Sequence, residues 1–376
     1  MSLSPLFRPL RAGSLELEHR IVMAPLTRMR ASQPGNIPTE ANAEYYRQRA
    51  TNGGLIITEA TQVIRSGQGY PATPGIHNSE QIDGWRKVTA AVHAEGGKIV
   101  LQLWHVGRIS HSSFQPGRAP PVGPSAVPAP ALAFTANWER VPYETPRALD
   151  LQEIAQIVGS YANGARNAIE AGFDGVHGAN GYLIEQFLQS RSNRRSDLYG
   201  GSIENRTRFL LEVAAAVSDA VGPDRVGVRL SPFGVANGMD ENEPQPLYQY
   251  AIQELAKLGL AYLHLIEPRA SGTGSADVSY GEALSASRLF RPFWSGVLIA
   301  AGGYSRTDAE SAIATGHADA IAFGRSFISN PDLVERLRKG AALHPWNRET
   351  FYGGGSAGYT DYPFLSHIDP QIDHRT

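Results

Sequence analysis

The 376-residue sequence contains no cysteine. That absence excludes disulfide bridges, thiolate nucleophiles, cysteine-ligated zinc and iron–sulfur clusters together. Charge of one sign is equally scarce. Lys and Arg number 34 against 36 Asp and Glu, a formal net charge of -2, which recommends neither nucleic acid nor an anionic membrane surface as a partner. No apolar run approaches the roughly 20 residues of a membrane-spanning helix, and the first ten residues lack the basic-then-apolar pattern of a secretory signal. The expectation from these absences is a cytoplasmic chain acting on small ligands. What is present is 42% hydrophobic residues, enough to bury a large core in a single domain over residues 1–376.

Apolar segments and amphipathic stretches take turns along the chain. Residues 6–20 alternate around Gly13 and predict a hairpin plugging one end of a barrel. The run Arg20-Ile-Val-Met-Ala-Pro-Leu-Thr27, closed by Pro25, suits a parallel strand buried on both faces. Further strands are predicted over 55–60, 98–104, 173–176, 226–230, 262–267, 297–301 and 318–323. Helical spacing falls at 40–50, 79–93, 150–171, 202–221, 247–258, 282–290, 307–314 and 331–339. Such alternation demands a parallel sheet, and eight units predict an α/β fold, the (β/α)8 TIM barrel. An open doubly wound sheet would need an early glycine-rich dinucleotide turn, and Gly272-Thr-Gly274 has no strand-turn-helix context. Residues 117–146 carry Pro, Ala and isolated aromatics without a period. They predict a long loop after the third strand, with Trp138, Pro142 and Tyr143 placed to cover a site.

Barrel active sites lie at the carboxyl ends of the strands. The richest such stretch is Gly172-Phe-Asp-Gly-Val-His-Gly-Ala-Asn-Gly-Tyr182. Its His177, Asn180 and Tyr182 offer an imidazole, an amide and a phenol, able to hold a carbonyl oxygen and deliver a proton, or else to cap the next helix. After the last two strands, Ala301-Gly-Gly-Tyr304 and Phe323-Gly-Arg325 place backbone amides and a guanidinium where barrels bind phosphate. An Arg–phosphate hydrogen bond is worth about 1.5–3 kcal/mol. Gln102 and Arg229 put hydrogen-bonding groups at apolar strand ends. A buried cation needs a partner, which either a flavin's pyrimidine edge or an ion pair with Glu59 or Glu267 would supply. His105 and His111 are spaced unlike a helical metal pair and no carboxylate joins them, so no metal site is expected.

Several stretches in order along nearly the whole chain together resemble the Old Yellow Enzyme family of FMN-dependent ene-reductases. They are Met23-Ala-Pro-Leu-Thr-Arg28, Glu44-Tyr-Tyr-Arg-Gln-Arg49, Leu55-Ile-Ile-Thr-Glu-Ala-Thr61, Gln102-Leu-Trp-His-Val-Gly-Arg108, His177-Gly-Ala-Asn-Gly-Tyr182, the segment from Asn193 to Arg206, Phe323-Gly-Arg325 and Tyr352-Gly-Gly-Gly355. The match looks closest to the bacterial branch that reduces enones, nitroalkenes and nitrate esters. It implies one FMN in the barrel mouth, contacted by Ala24, Pro25, Thr27, Ala60, Gln102, Arg229, Gly303, Gly324 and Arg325. Thr27 would hydrogen-bond the flavin carbonyl or serve as a turn hydroxyl. The resemblance also implies that His177 and Asn180 hold the activating oxygen of an alkene, that Tyr182 donates the proton, and that Tyr70, Trp104 and Tyr352 shape the pocket. The reaction it implies is ping-pong: NADPH or NADH reduces the flavin, and hydride then passes to the C=C bond of an α,β-unsaturated carbonyl or nitroalkene. Monomer and homodimer both remain open.

One departure from the family stands out. The family usually has an acidic and an aliphatic residue more between Val176 and His177. Removing two residues preserves side-chain alternation but would draw the strand tip back by roughly 6.6 Å. The expectation is that the turn at 171–174 absorbs the loss and His177 still faces the flavin. Otherwise the chain is an FMN-binding barrel with impaired turnover.

Overall fold

The computed structural model describes residues 4–178, 181–269 and 285–367. Strands β1 (Leu10–Ala12) and β2 (Leu15–Leu17) form an antiparallel hairpin. It turns at Gly13, where φ is +59° and a Cβ would lie 2.1 Å from the Asp224 carbonyl oxygen, so only glycine fits. Ala12, Leu15 and Leu17 pack against Val22, Leu55 and Tyr262 at the starts of barrel strands, closing that end as expected.

The barrel then builds from β3 (Ile21–Met23), α1 (Glu40–Arg47), β4 (Leu55–Gln62), α2 (Ser79–Ala94) and β5 (Lys98–Trp104). The segment after β5 is more ordered than its composition predicts. Strands β6 (Val122–Gly123), β7 (Leu132–Phe134), β8 (Arg140–Pro142) and β9 (Arg147–Ala148) form two small sheets, β6 with β9 and β7 with β8. Strands of two or three residues are too short to carry a readable period. There follow α3 (Leu151–Glu170), β10 (Gly175–Gly178), α4 (Leu183–Leu188), α5 (Ile203–Val221), β11 (Val226–Leu230), α6 (Pro244–Ala256), β12 (Tyr262–Ile266) and α7 (Ala286–Phe290). The chain continues through β13 (Val297–Ala301), α8 (Arg306–Ala314), β14 (Ala320–Phe323), α9 (Arg325–Ser329) and α10 (Leu333–Lys339). Eight parallel strands, β3, β4, β5 and β10 to β14, close into a barrel in sequence order, which is the (β/α)8 fold.

Alternation along each strand sorts the two faces. Leu101, Leu103, Val176, Val228 and Leu263 point outward into the core shared with the helices. Helix α3 shows why that layer forms. Asp150 and Glu153 make a reciprocal capping box at its start, and Ile154, Ile157, Tyr161 and Ala165 are buried on one face; each fully buried aliphatic side chain contributes about 1.5–3 kcal/mol. Val22, Leu55, Ile57, Val100 and Ile299 point to the barrel axis. Toward the carboxyl ends the inward residues Ala24, Ala301 and Ala322 are small, which leaves an open mouth.

The segment past α10 returns across this mouth and is clamped there. Arg28, fully buried, donates to the carbonyl oxygens of Phe351 at 2.9 Å and Gly358 at 2.7 Å. Arg49 donates to those of Phe327 and Ile328, both at 2.8 Å, and Tyr359 at 3.2 Å. Tyr45 stacks on Tyr359 with ring centroids 4.2 Å apart.

Candidate active site

Register fixes where each inward side chain sits. His177 pairs with Gln102 of β5 on one side and Gly227 of β11 on the other. Two residues further along those neighbours stand Trp104 and Arg229, the side chains that reach the mouth. His177 is therefore one inward step, roughly 6.6 Å, below both. It belongs to the strand itself rather than to a loop beyond its tip, because β10 runs Gly175–Gly178 instead of 173–176.

The expectation that the turn at 171–174 absorbs the two missing residues is thus corrected. That turn stays tight: the Gly172 and Phe173 amides bond back to Ile169 and Ala168, and the Asp174 amide reaches Ile99. No slack is left to push the strand upward. His177 is fully buried, and its Nδ1 shares a hydrogen bond with the Tyr262 hydroxyl at 3.1 Å. Tyr262 can reach it because Gly227 lacks a side chain; a Cβ there would lie 2.2 Å from the tyrosine ring. The His264 ring lies 5.2 Å away, and among the described residues His177 Nε2 and both His264 ring nitrogens have no hydrogen-bond partner. Burial, with the Arg229 charge adding to it, holds both imidazoles well below their ordinary pKa. Both are neutral.

Arg229 stands over this floor. Neither Glu59 nor Glu267 is its partner. The Glu59 carboxylate accepts the Arg28 amide at 3.1 Å, and Glu267 is bonded by Ser287, Tyr304 and the Ala286 amide. Arg229 Nε has no partner. Burial lowers its pKa to about 10, against the pull of Glu185 and Tyr182.

Tyr182 begins α4 and is at the mouth. Its ring meets Trp104 edge-on at 4.6 Å, its hydroxyl donates to that of Tyr70 at 3.4 Å, and Tyr70 stacks on Trp104 at 5.8 Å. Burial raises the Tyr182 pKa above that of an ordinary phenol, so it carries its proton at neutral pH. Tyr143, from the segment between β8 and β9, packs with Tyr70 and Tyr182 against the cluster that contains Ala60 and Trp104. Trp138 is half-exposed and would meet a Cβ on Gly353 at 2.7 Å. Tyr352, 46% exposed, is at the rim. Asn180 lies outside the described residues, as does Gly272-Thr-Gly274.

Around the mouth Ala24, Pro25 and Ala60 are buried, Thr27 is half-buried, and Gln102 is 5% exposed with no side-chain hydrogen bond to another described residue. At the ends of β13 and β14 stand Gly303, with φ at +64°, Gly324 before α9, and Arg325, whose guanidinium lies 5.3 Å from the Trp346 ring centre. A buried guanidinium nitrogen without a partner, an amide beside it, small residues between, and a cation beyond two glycines fit a flat polar-edged ring with a phosphate tail.

Sequence reasoning missed three contributors. Glu185 accepts from Ser231, from Tyr248 at 2.7 Å, from Gln189 at 3.0 Å and from the Gly181 amide, and so ties α4 to β11. Its one signal was an acid on the buried face of Tyr182-Leu-Ile-Glu185. His264 was legible as a polar residue at an inward position of an apolar strand. Arg269, which donates to the Gly302 carbonyl at 2.6 Å and lies over Tyr304 at 4.4 Å, had no sequence signal.

Comparison with known proteins agrees with this geometry. A family model described as "NADH:flavin oxidoreductase / NADH oxidase family" matches residues 5–344. Among relatives, the putative 12-oxophytodienoate reductase 11 of Oryza sativa subsp. japonica is 46% identical over 370 residues, 97% of this chain and 98% of that protein. The flavin oxidoreductase hxnT of Emericella nidulans is 44% identical over 384 residues, covering 96% and 98%. Among solved structures, morphinone reductase superposes with a TM-score of 0.90 at 46% identity, covering 98% of each chain. Morphinone reductase in complex with tetrahydroNAD gives a TM-score of 0.89 at 46% identity, over 98% of this chain and 99% of that one.

Proposed function

The chain belongs to the NADH:flavin oxidoreductase / NADH oxidase family, and we propose how its own residues carry out that chemistry. It is an FMN-dependent enzyme that reduces the C=C bond of activated alkenes with NAD(P)H as electron donor. When bound, FMN would supply hydride-transfer chemistry between a nicotinamide and an alkene. Gln102 and Arg229 would hold the cofactor's pyrimidine edge, and Gly303, Gly324 and Arg325 would hold its phosphate. Ala24, Pro25, Thr27 and Ala60 line its place at the mouth. Tyr70, Trp104 and Tyr352 bound the substrate, and Tyr182 keeps a proton on its hydroxyl for the alkene's α-carbon. Among the described residues no helix is long and apolar enough to cross a membrane. On this reading the enzyme works in the cytoplasm on small molecules.

The observation that carries the reading is the unpartnered Arg229 Nε beneath the Tyr70–Trp104–Tyr182 cluster. Its test is a pair of anaerobic half-reactions. NADPH or NADH should bleach the flavin of the purified protein, and an activated alkene, cyclohexenone or a nitrostyrene, should restore it; a protein that carries no flavin, or whose flavin both nicotinamides leave oxidised, refutes the reading. A second reading, an FMN-binding barrel with impaired turnover, is favoured by one observation, the withdrawal of His177. Rapid bleaching followed by slow recovery with both acceptors would support it.

A further inference from the structure

We propose that the short β10 removes His177 from the substrate pocket to the barrel floor, leaving an enzyme selective for alkenes whose activating group spreads negative charge by itself, nitroalkenes ahead of simple enones. The inference rests on the ene-reductase reading and goes on to name the substrate class.

Two observations on opposite faces of one strand carry it. Inside, His177 Nε2, both His264 ring nitrogens and Arg229 Nε are buried atoms without partners among the described residues. The Arg229 Nε–H and the one N–H of the neutral His264 ring thus find no acceptor there, and the hydrogen bond that His177 makes among them goes to Tyr262, away from the mouth. Outside, at the same height, an apolar cavity of about 20 Å³ separates β10 and β11 from α5, lined by Leu103, Val176, Ile184, Leu210, Val213 and Val228. An inward acceptor and an outward aliphatic side chain are what two further residues of a strand would place there. Both gaps fall within the strand, so the strand is where the length was lost.

The consequence for specificity follows from where charge develops. When hydride reaches the β-carbon, the electron pair of the C=C bond moves toward the activating group. In an enone that charge collects on one carbonyl oxygen, where a preorganised donor matters most; losing such a donor lowers kcat by about 100- to 1000-fold. A nitro group shares the charge between two oxygens and depends less on any one donor.

The test compares kcat/KM for cyclohexenone and for a nitrostyrene in the FMN-loaded parent, in His177→Ala, and in a variant with Glu-Ile inserted between Val176 and His177. The parent is expected to favour the nitroalkene by about 100-fold or more. His177→Ala is expected to change both substrates less than threefold while lowering the melting temperature, since the Tyr262 hydroxyl loses its partner. The insertion is expected to raise enone turnover and to make a further His177→Ala costly for the enone. A His177→Ala variant of the parent that loses about 100-fold on the enone alone, with its melting temperature intact, overturns the proposal. So does a parent without nitroalkene preference. If the insertion does not fold, the single substitution still decides. Failure of the underlying reading looks different, because flavin loading or its reduction by NADPH is then absent in the parent.

Discussion

Two polar clusters are built into this barrel, and they serve different ends. Behind β4, Arg28, Arg49, Glu59, Tyr45, Tyr46 and Tyr359 are tied to the backbone around them: carbonyls accept from both guanidinium groups, Glu59 accepts from the Arg28 amide, and the Tyr46 hydroxyl accepts from the Glu59 amide at 2.8 Å, while Arg28 Nη1, Tyr45 Oη and Glu59 Oε1 have no partner among the described residues. On the inner face of β10, β11 and β12, His177 and His264 are fully buried and Arg229 is partly buried, and among the described residues four of their nitrogens have no partner. A buried polar group without a hydrogen bond costs about 1–3 kcal/mol. The first cluster therefore belongs to the architecture, holding the 350–359 segment over the mouth. In the second, Arg229 reaches the mouth and is available to a ligand, while His177 and His264 lie on the floor beneath it.

Replacing an arginine in each cluster gives the sharpest break. Arg28→Met strips the guanidinium from the Phe351 and Gly358 carbonyls while leaving the backbone amide on Glu59, and should cost about 3–5 kcal/mol of stability by urea unfolding. Arg229→Met, in contrast, should leave the FMN-free protein as stable or more so, because a partly buried cation whose Nε has no partner among the described residues is exchanged for an apolar side chain. Loss of stability at both positions would erase the distinction.

At the mouth itself, Tyr182→Phe should slow reoxidation by enone by about 100-fold or more, while bleaching by NADPH stays within twofold. Equal loss in both half-reactions would remove Tyr182 from the protonation step. On the cofactor side, Arg229→Met should weaken FMN binding by about tenfold or more, read as fluorescence on titration. Arg28→Met should weaken it only in proportion to the unfolded fraction.

The smallest effect is on pH dependence, and there the clusters pull in opposite directions. His177 and His264 are held well below their usual value of 6.5, as are His19 and His105, each at about 4. Each binds a proton more readily when unfolded, so its share of stability is lost as pH falls below 6.5, with a slope of up to about 1.4 kcal/mol per pH unit. Burial pushes Glu59 up to about 7 from 4.5, so its contribution grows as pH falls through that interval. Glu185, also raised, acts in the same sense. With His77, also lowered by burial, five histidines against two carboxylates predict a net decline between pH 6.5 and 4.5, measurable by urea unfolding. Replacing His264 with Phe should flatten it.

Much of this was legible beforehand. Strands over 98–104, 226–230 and 297–301 match β5, β11 and β13, since apolar runs bounded by turns leave little choice. Helix α3 was legible from its cap and stripe. The floor was not. That His177 and His264 share a cluster depends on register between strands far apart in sequence, and on Gly227 making room for Tyr262. Nor does the sequence say which of two places, turn or strand, absorbs a shortening. Hydrogen bonds at 171–174 decide it.

The central claim is that the unpartnered donors at the mouth exist to hold FMN. Titrating FMN-free protein with FMN tests it most directly, followed by flavin fluorescence and melting temperature together. The account predicts one FMN per chain, quenched on binding, with a clear rise in melting temperature that Arg229→Met largely abolishes. Unquenched flavin and an unchanged melting temperature would contradict it.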